Sequence, residues 1–418
     1  MQVEKNYGKD VSFPLDWKLF NIDQVLDTFP TATYSRADLD DNSKTLYLHY
    51  GDIHTKYHFH LDLKKSDLPR LPDEKIKKNE FLQEGDLVIS DASEDYSGVG
   101  KSVEIINIGG LSVIAGLHTF LLRDKGNYFA PKFKGYVSLS SFVQEQFYRL
   151  ATGTKVYSIS KTSLKSIKVP LPPLIEQKAI ADCLSSWDKA IELQRELILS
   201  KEVRKKSLAQ QLLTGKRRLP GFTNEWEEEP YGKLLSQVKR KENWEDNHLY
   251  HLISVRRRSG GIFNRDSLYG HQIAVKELMK VKKGDFLISK MQILHGASSI
   301  VKQEFENFYV SGSYIILNVR DPKKLSPDYL DFYSKQKIFY HQTYISSYGV
   351  HIEKMTFDFK TFLKMNMMVP SIDEQNAVVK VLETADKELQ LEKQKLANLQ
   401  QQKKALMQQL LTGKVRLV

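Results

Sequence analysis

The chain has 418 residues, a single cysteine (Cys183) and a formal net charge of +11. One cysteine excludes a disulfide framework and a cysteine zinc site, no run of about 18 apolar residues offers a membrane span, and the start MQVEKNYGKDVSF lacks an apolar signal core, so a cytoplasmic protein of two or three domains is expected. The basic balance, with 20 Tyr and 20 Phe, raises the expectation of a nucleic-acid partner.

In chain order, the first landmark is Trp17 in PLDWKLFNIDQVL. YLHYGDIHTK at 47–56 follows, then the apolar run EGDLVIS at 84–90, bounded by Gly-Asp, which predicts a short buried strand. AGLHTFLLR at 115–123 predicts another strand, and SFVQEQFYRLAT at 141–152 a helix. SLKSIKVPLPP closes this first head, a mixed α+β domain over residues 1–173. LPPLIEQ at 171–177 opens a long polar helix, with proline where the missing N–H costs little and Glu176 in the first turn. That helix, within 174–216, ends on QQLLTGK at 210–216, where Gly215 suits the left-handed closing position.

The pattern then repeats. A second head over 217–371 carries Trp226, LYHLISVRRR at 249–258, KGDFLISK at 283–290, SGSYIILNV at 311–319 and the helical stretch 327–346. VPSIDEQ at 369–375 opens a second helix within 372–418, which ends on QQLLTGK at 408–414. Glu176 to Glu374 and Gln210 to Gln408 are both separations of 198 residues, so nothing is inserted inside the repeated helix. In heptads the first helix places Leu184, Ile191, Ile198, Lys205 and Leu212 at a, and Trp187, Gln194, Lys201 and Leu208 at d. The second places Leu382, Leu389, Leu396, Lys403 and Leu410 at a, and Ala385, Glu392, Leu399 and Leu406 at d. Lysine at the same a position in both is a register device. Each helix spans roughly 60 Å at 1.5 Å per residue. Too polar to stand alone, the two are expected to pair antiparallel within the chain.

Duplicated Trp starts, GDLVIS/GDFLIS strands, PLPPLIEQ and PSIDEQ helix entries and LLTGK exits resemble the specificity subunits of type I restriction-modification enzymes, over essentially the whole chain. The resemblance implies two target-recognition domains of mixed α/β structure separated by two antiparallel coiled-coil helices. Each domain reads one half of a split site in double-stranded DNA. It further implies two modification (methyltransferase) subunits docked on the helices, and nuclease/translocase subunits in the full complex. S-adenosylmethionine, ATP and Mg are then carried by partner subunits, with no cofactor in this chain. Independently, unlike heads on identical spacers predict two unlike half-sites at a set distance.

Candidate DNA contacts are taken from loops at corresponding places. In the first head these are His54, Thr55, Lys56, Ser97, Lys101, Thr154, Lys155 and Tyr157. In the second they are Arg256, Arg257, Arg258, Lys290, Gln292, His295, Tyr348 and His351. Arginine turns suit phosphate and guanine, although a run such as Arg256–Arg258 can equally be a solvated surface turn. SGVGKS at 97–102 ends like a phosphate loop, but Asp95 stands where the first glycine is required, and a strand is expected to follow rather than a helix. His58 and His60 on one strand face invite a metal reading that finds no further ligand nearby, so no metal site is assigned. No adenosylmethionine loop, Asn-Pro-Pro-Tyr-type tetrapeptide or nuclease carboxylate pattern is present. That argues against a stand-alone methyltransferase–nuclease, and the basic heads argue against a coiled-coil scaffold without DNA.

Overall fold

The computed structural model describes residues 1–6, 9–76, 80–352 and 355–417. Its contacts divide the chain into two units, Met1–Arg195 with Gln394–Val418, and Glu196–Lys393. Each unit holds one head, the start of one long helix and the end of the other.

In the first head Leu87–Ser90 is the middle strand of five, in the order Leu26–Phe29, Thr119–Asp124, Leu87–Ser90, Ser102–Ile106, Phe59–Asp62. Only the last pairing is parallel. Phe286–Ser289 holds the matching place in the second head, inside an antiparallel sheet ordered Leu235–Val238, Tyr314–Val319, Phe286–Ser289, Ser298–Ile300. Side chains alternate across a strand, and here they feed two cores. Leu87 and Ile89 face one cluster and Val88 another; Phe286 and Ile288 are likewise separated from Leu287. Burial on both faces is why these strands read as unbroken apolar runs.

The Gly-Asp pair before each strand has a structural role. Gly85 and Gly284 adopt φ of +79° and +84°, which glycine takes without strain. Buried Asp86 accepts from the Gln83 amide at 2.7 Å and takes two 2.8 Å bonds from Arg123. Buried Asp285 accepts from the Lys282 amide at 2.7 Å and from Arg240 at 3.0 Å. The motif is shared, while the arginine comes from different elements.

The strand expected at AGLHTFLLR is corrected. AGLHTFLLR is not continuous: Val113–Ala115 and Thr119–Asp124 belong to different sheets. The chain turns between them at Gly116, where a Cβ would lie 2.4 Å from the Tyr47 ring, and at His118, φ +57°. SGSYIILNV divides in the same way into Tyr309–Ser311 and Tyr314–Val319. YLHYGDIHTK is a strand, Thr45–Leu48, followed by a helix, Tyr50–Thr55, capped by His49 Nδ1 accepting from the Gly51 amide at 3.1 Å. Its counterpart has no helix: the strand Leu249–Val255 runs into a turn and returns as Ile262–Tyr269.

The long helices are Leu174–Leu213 and Ile372–Leu410, followed by Gly215 at φ +70° and Gly413 at φ +67°. Within the first unit Ile180 and Leu184 share a core with Leu410 and Leu411, and Asp188 is bonded by Lys403. Within the second, Ala209 and Leu212 share a core with Val378 and Leu382, and Asp386 is bonded by Lys205. Both sets of contacts make the helices antiparallel. Leu184, Ile191, Ile198, Leu212, Leu382 and Leu410 are buried, whereas Trp187, Leu208, Leu389, Leu396, Leu399 and Leu406 are half-buried. The paired a-position lysines differ: Lys403 is buried, its ammonium 3.7 Å from the Phe59 ring centre, whereas Lys205 is half-exposed.

Candidate nucleic-acid interface

In the first head the segment 91–101, after the middle strand, gathers several of the expected residues. His54 Nε2 lies 2.9 Å from Ser90 Oγ and 3.0 Å from the Ala92 carbonyl, and Lys101 Nζ donates to the His54 carbonyl at 3.4 Å. Burial pushes the His54 pKa down, so the ring is neutral at pH 7. Tyr157–Ser158 pairs with Ala92–Ser93, and the Tyr157 ring stands 5.2 Å from that of Tyr96. Ser97 is exposed, and its carbonyl accepts from Tyr148 at 3.3 Å. Thr154 and Lys155 are exposed on the turn that leads to Tyr157. Thr55 and Lys56 are engaged by their own helix: Thr55 Oγ1 donates to Gly51 at 2.7 Å, and Lys56 pairs with buried Asp52 at 3.2 Å. Tyr96 and Tyr148 join the group without any signal in spacing.

The glycine-rich end of that loop serves packing. Gly100, at φ +79°, has the Phe147 ring 2.3 Å from where a Cβ would stand, and a strand follows, not a helix. His58 and His60 do not share the face of a regular strand, because Phe59 at φ +61° makes a tight turn in which the His60 amide bonds the His58 carbonyl at 2.7 Å. His60 Nε2 sits 2.9 Å from the Lys132 carbonyl. Among the described residues no group of three or more His, Cys, Asp or Glu could hold a metal.

In the second head Arg256, Arg257 and Arg258 occupy the turn between Leu249–Val255 and Ile262–Tyr269. Arg256 stacks 4.2 Å over Phe263, and Arg257 bonds Gln292. Arg258 and Ser259 hold φ of +56° and +54°. The turn is pinned by the Arg258 amide to the His295 carbonyl at 2.6 Å and by Ser259 Oγ, 2.6 Å from the Tyr340 hydroxyl. Arg257, Arg258, Ser259, His295, Lys335 and Tyr340 line an open cleft of about 510 Å³. Lys290 lies apart, donating to the Gly312 carbonyl at 2.7 Å. Tyr348 and His351 are exposed on the turn after the helix Lys337–Ile345. In both heads, then, the corresponding segment (54–56 or 256–258) meets the loop after the middle strand, from a helix end in one case and a hairpin turn in the other.

Beneath these unlike loops lies a duplicated base. Trp17 donates to buried Glu176 at 3.1 Å, and Arg416 donates to the same carboxylate at 2.7 Å. Trp226 donates to Glu374 at 3.2 Å, and Arg218 at 2.6 Å. Gln177 accepts from the Ala130 amide and donates to Tyr128 and Pro172 carbonyls, all at about 3 Å. Gln375 does the same with Ser326, Lys324 and Pro370. The Glu-Gln pair of each helix entry therefore ties head to helix, and an arginine from the end of the antiparallel helix completes the tie. The signal was present in the sequence, where the repeat runs past QQLLTGK as Lys-x-Arg-Leu at 216–219 and 414–417.

Comparison with known proteins gives the frame a family. The model of the type I restriction modification DNA specificity domain matches residues 14–200 and 238–401. A Methanocaldococcus jannaschii protein, provisionally designated the type I restriction enzyme MjaX specificity subunit, is 25% identical over 99% of this chain and 97% of its own length. The type I restriction enzyme MjaVIII specificity subunit of the same organism is 23% identical over 67% of this chain and 70% of its length. The fold is that of the M. genitalium type I restriction-modification system S subunit, with a TM-score of 0.52 at 15% identity, covering 98% of this chain and 99% of that one. A chain solved in work on assembly and conformational transition of the type I R-M system aligns with a TM-score of 0.59 at 18% identity, over 96% of this chain and 99% of that one. With two matched stretches covering most of its length, one on each repeat, the chain belongs to the type I restriction-modification DNA specificity family.

Proposed function

We infer that this chain is the DNA-reading, non-catalytic subunit of a type I restriction-modification complex. The observation that carries the reading is one frame used twice with different contents. The same Trp–Glu–Arg tie and Glu-Gln entry support a His54–Lys101–Tyr157 loop group in one unit and an Arg257–Arg258–His295 group in the other. A frame repeated within a chain presents two readers, and unlike readers specify an asymmetric, bipartite site. We propose residues 1–173 and 217–371 as target-recognition domains and the loop residues named above as their DNA contacts. The paired helices set the spacing and dock two modification subunits. S-adenosylmethionine, with ATP and Mg for a nuclease/translocase subunit, belongs to those partners, and the assembly works on cytoplasmic DNA. Among the described residues no helix is long and apolar enough to cross a membrane.

The test is methylation mapping across a genome, with this chain co-expressed with its modification subunit. A split motif with two unlike halves is expected. A continuous motif, or methylation by the purified chain alone, refutes the proposal.

A further inference from the structure

The second head exposes an apolar ridge that its fold does not use. Between 344 and 352 the chain leaves Tyr344, Ile345, Tyr348, Val350 and Ile352 about half or more exposed, Val350 at 94%. Isolated exposed apolar residues are ordinary, but five in nine positions running from the end of a helix into the turn beyond it are not. The base of the turn is firmly held. Ser347–Tyr348 pairs with Thr356–Phe357, the Asp358 amide bonds the Ser346 carbonyl at 2.8 Å, and Phe357 is buried in the head's core. The tip bends at Gly349, φ +142°, a conformation that essentially only glycine takes. A rigid stem thus carries Tyr348 and Val350 into solvent.

The neighbouring chemistry is cationic. The helix Lys337–Ile345 leads into the ridge and also carries Tyr340, which lines the Arg257–Arg258 cleft and holds its Ser259. From Tyr340 to Ile345 is five residues, about 7.5 Å of helix rise. Cleft and ridge therefore lie on the order of 10 Å apart, comparable with the reach from a phosphate row into a DNA groove, about 6 to 12 Å wide. A narrow apolar ridge beside arginines matches a groove flanked by phosphates better than it matches the broad, flat, apolar core of a protein interface. The first head repeats the plan: a helix, Ser141–Leu150, then Gly153 at φ +137°, then exposed Lys155 and Val156 ahead of Tyr157.

We propose that the Tyr348–Gly349–Val350 turn is a wedge that enters the DNA groove within the half-site read by the second head and unstacks one base step, while Arg258 and its neighbours hold the flanking phosphates. This rests on the DNA-reading function proposed above and specifies how one head performs it. The test uses the chain assembled with its modification subunits and a duplex bearing the mapped site. 2-Aminopurine is placed at one position at a time, away from the methylated adenine. A fluorescence rise at one step is expected on binding. Val350→Ser combined with Tyr348→Ser removes the rise and weakens binding about tenfold, the scale of one lost base contact. Both residues are exposed, so the melting temperature stays unchanged. Arg258→Ala instead lowers the slope of log affinity against log salt by about 1 and keeps the rise. A rise that survives the double substitution, or no rise at any position with bound wild type, overturns the wedge. So does loss of subunit assembly in the double variant, which would assign the ridge to a protein partner. Absence of any salt-dependent binding by the wild-type complex overturns the DNA-reading function itself.

Discussion

Glu176 shows how much one buried carboxylate can organise. It is fully enclosed and takes hydrogen bonds from Trp17 and Arg416. Trp17→Phe removes one charge-assisted hydrogen bond from a group that water cannot reach, at a cost of about 1.5–3 kcal/mol. The equivalent Trp226 is only half-buried, so Trp226→Phe should cost about 1 kcal/mol or less. Denaturant unfolding of the two variants checks the difference, and equal losses would mean that the two ties are energetically alike. His60 provides a pH test. Burial lowers its pKa from 6.5 to about 4, against a weaker opposing pull from the Lys132 carbonyl. The unfolded chain therefore binds a proton below pH 6.5 that the folded chain refuses until about pH 4, so stability falls as pH drops through that window. His60→Gln should flatten this dependence when unfolding is followed between pH 7.5 and 4.5.

Lys403 and Asp188 test what the paired helices require at the scale of the element. A lysine buried at an a position and held by a carboxylate favours register over raw stability. Lys403→Met with Asp188→Leu should therefore leave the chain as stable or up to about 3 kcal/mol more stable, while Lys403→Met alone strands the half-buried Asp188 carboxylate and should lower stability. Thermal melts of single and double variants separate these outcomes. The same pair marks how legible the helices were. Heptads and the 198-residue repeat pointed to both helices and to a seam in which Leu184, Ile191, Ile198, Leu212, Leu382 and Leu410 are buried, but not to the buried residues at the helix entries, which the heads cover. The period did not distinguish Lys403, covered by Phe59 and Tyr136, from half-exposed Lys205, since the covering rings come from the head. The break in the strand run at Gly116 and the helix capped by His49 were not legible for a related reason. They depend on the Tyr47 ring and on a side-chain cap, which no alternation of apolar residues encodes. The loop groups were legible only as corresponding regions. Which side chains meet there depends on contacts such as Ser259 with Tyr340, 81 residues away.

For the whole molecule, matched helices with unlike heads make spacing and reading separable. Insertion of four residues near position 200 adds about 6 Å of helix. It is expected to lengthen the gap between the two halves of the methylated motif or to block assembly, and an unchanged motif would remove the helices from any spacing role. Exchange of one head for that of a relative should alter one half of the motif and leave the other intact.

The division of the chain also fixes an order of construction. The unit Glu196–Lys393 is one uninterrupted stretch, whereas the other waits for Gln394–Val418. At roughly 5–20 residues per second a ribosome needs on the order of 10–40 s to travel from the first head's last residues to the segment that seals it. During that interval Ile180, Leu184 and the Glu176 carboxylate lack their covering helix. The half translated first is therefore finished last, and a nascent chain is most exposed to proteases and chaperones at the seat that Leu410, Leu411 and Arg416 will later fill.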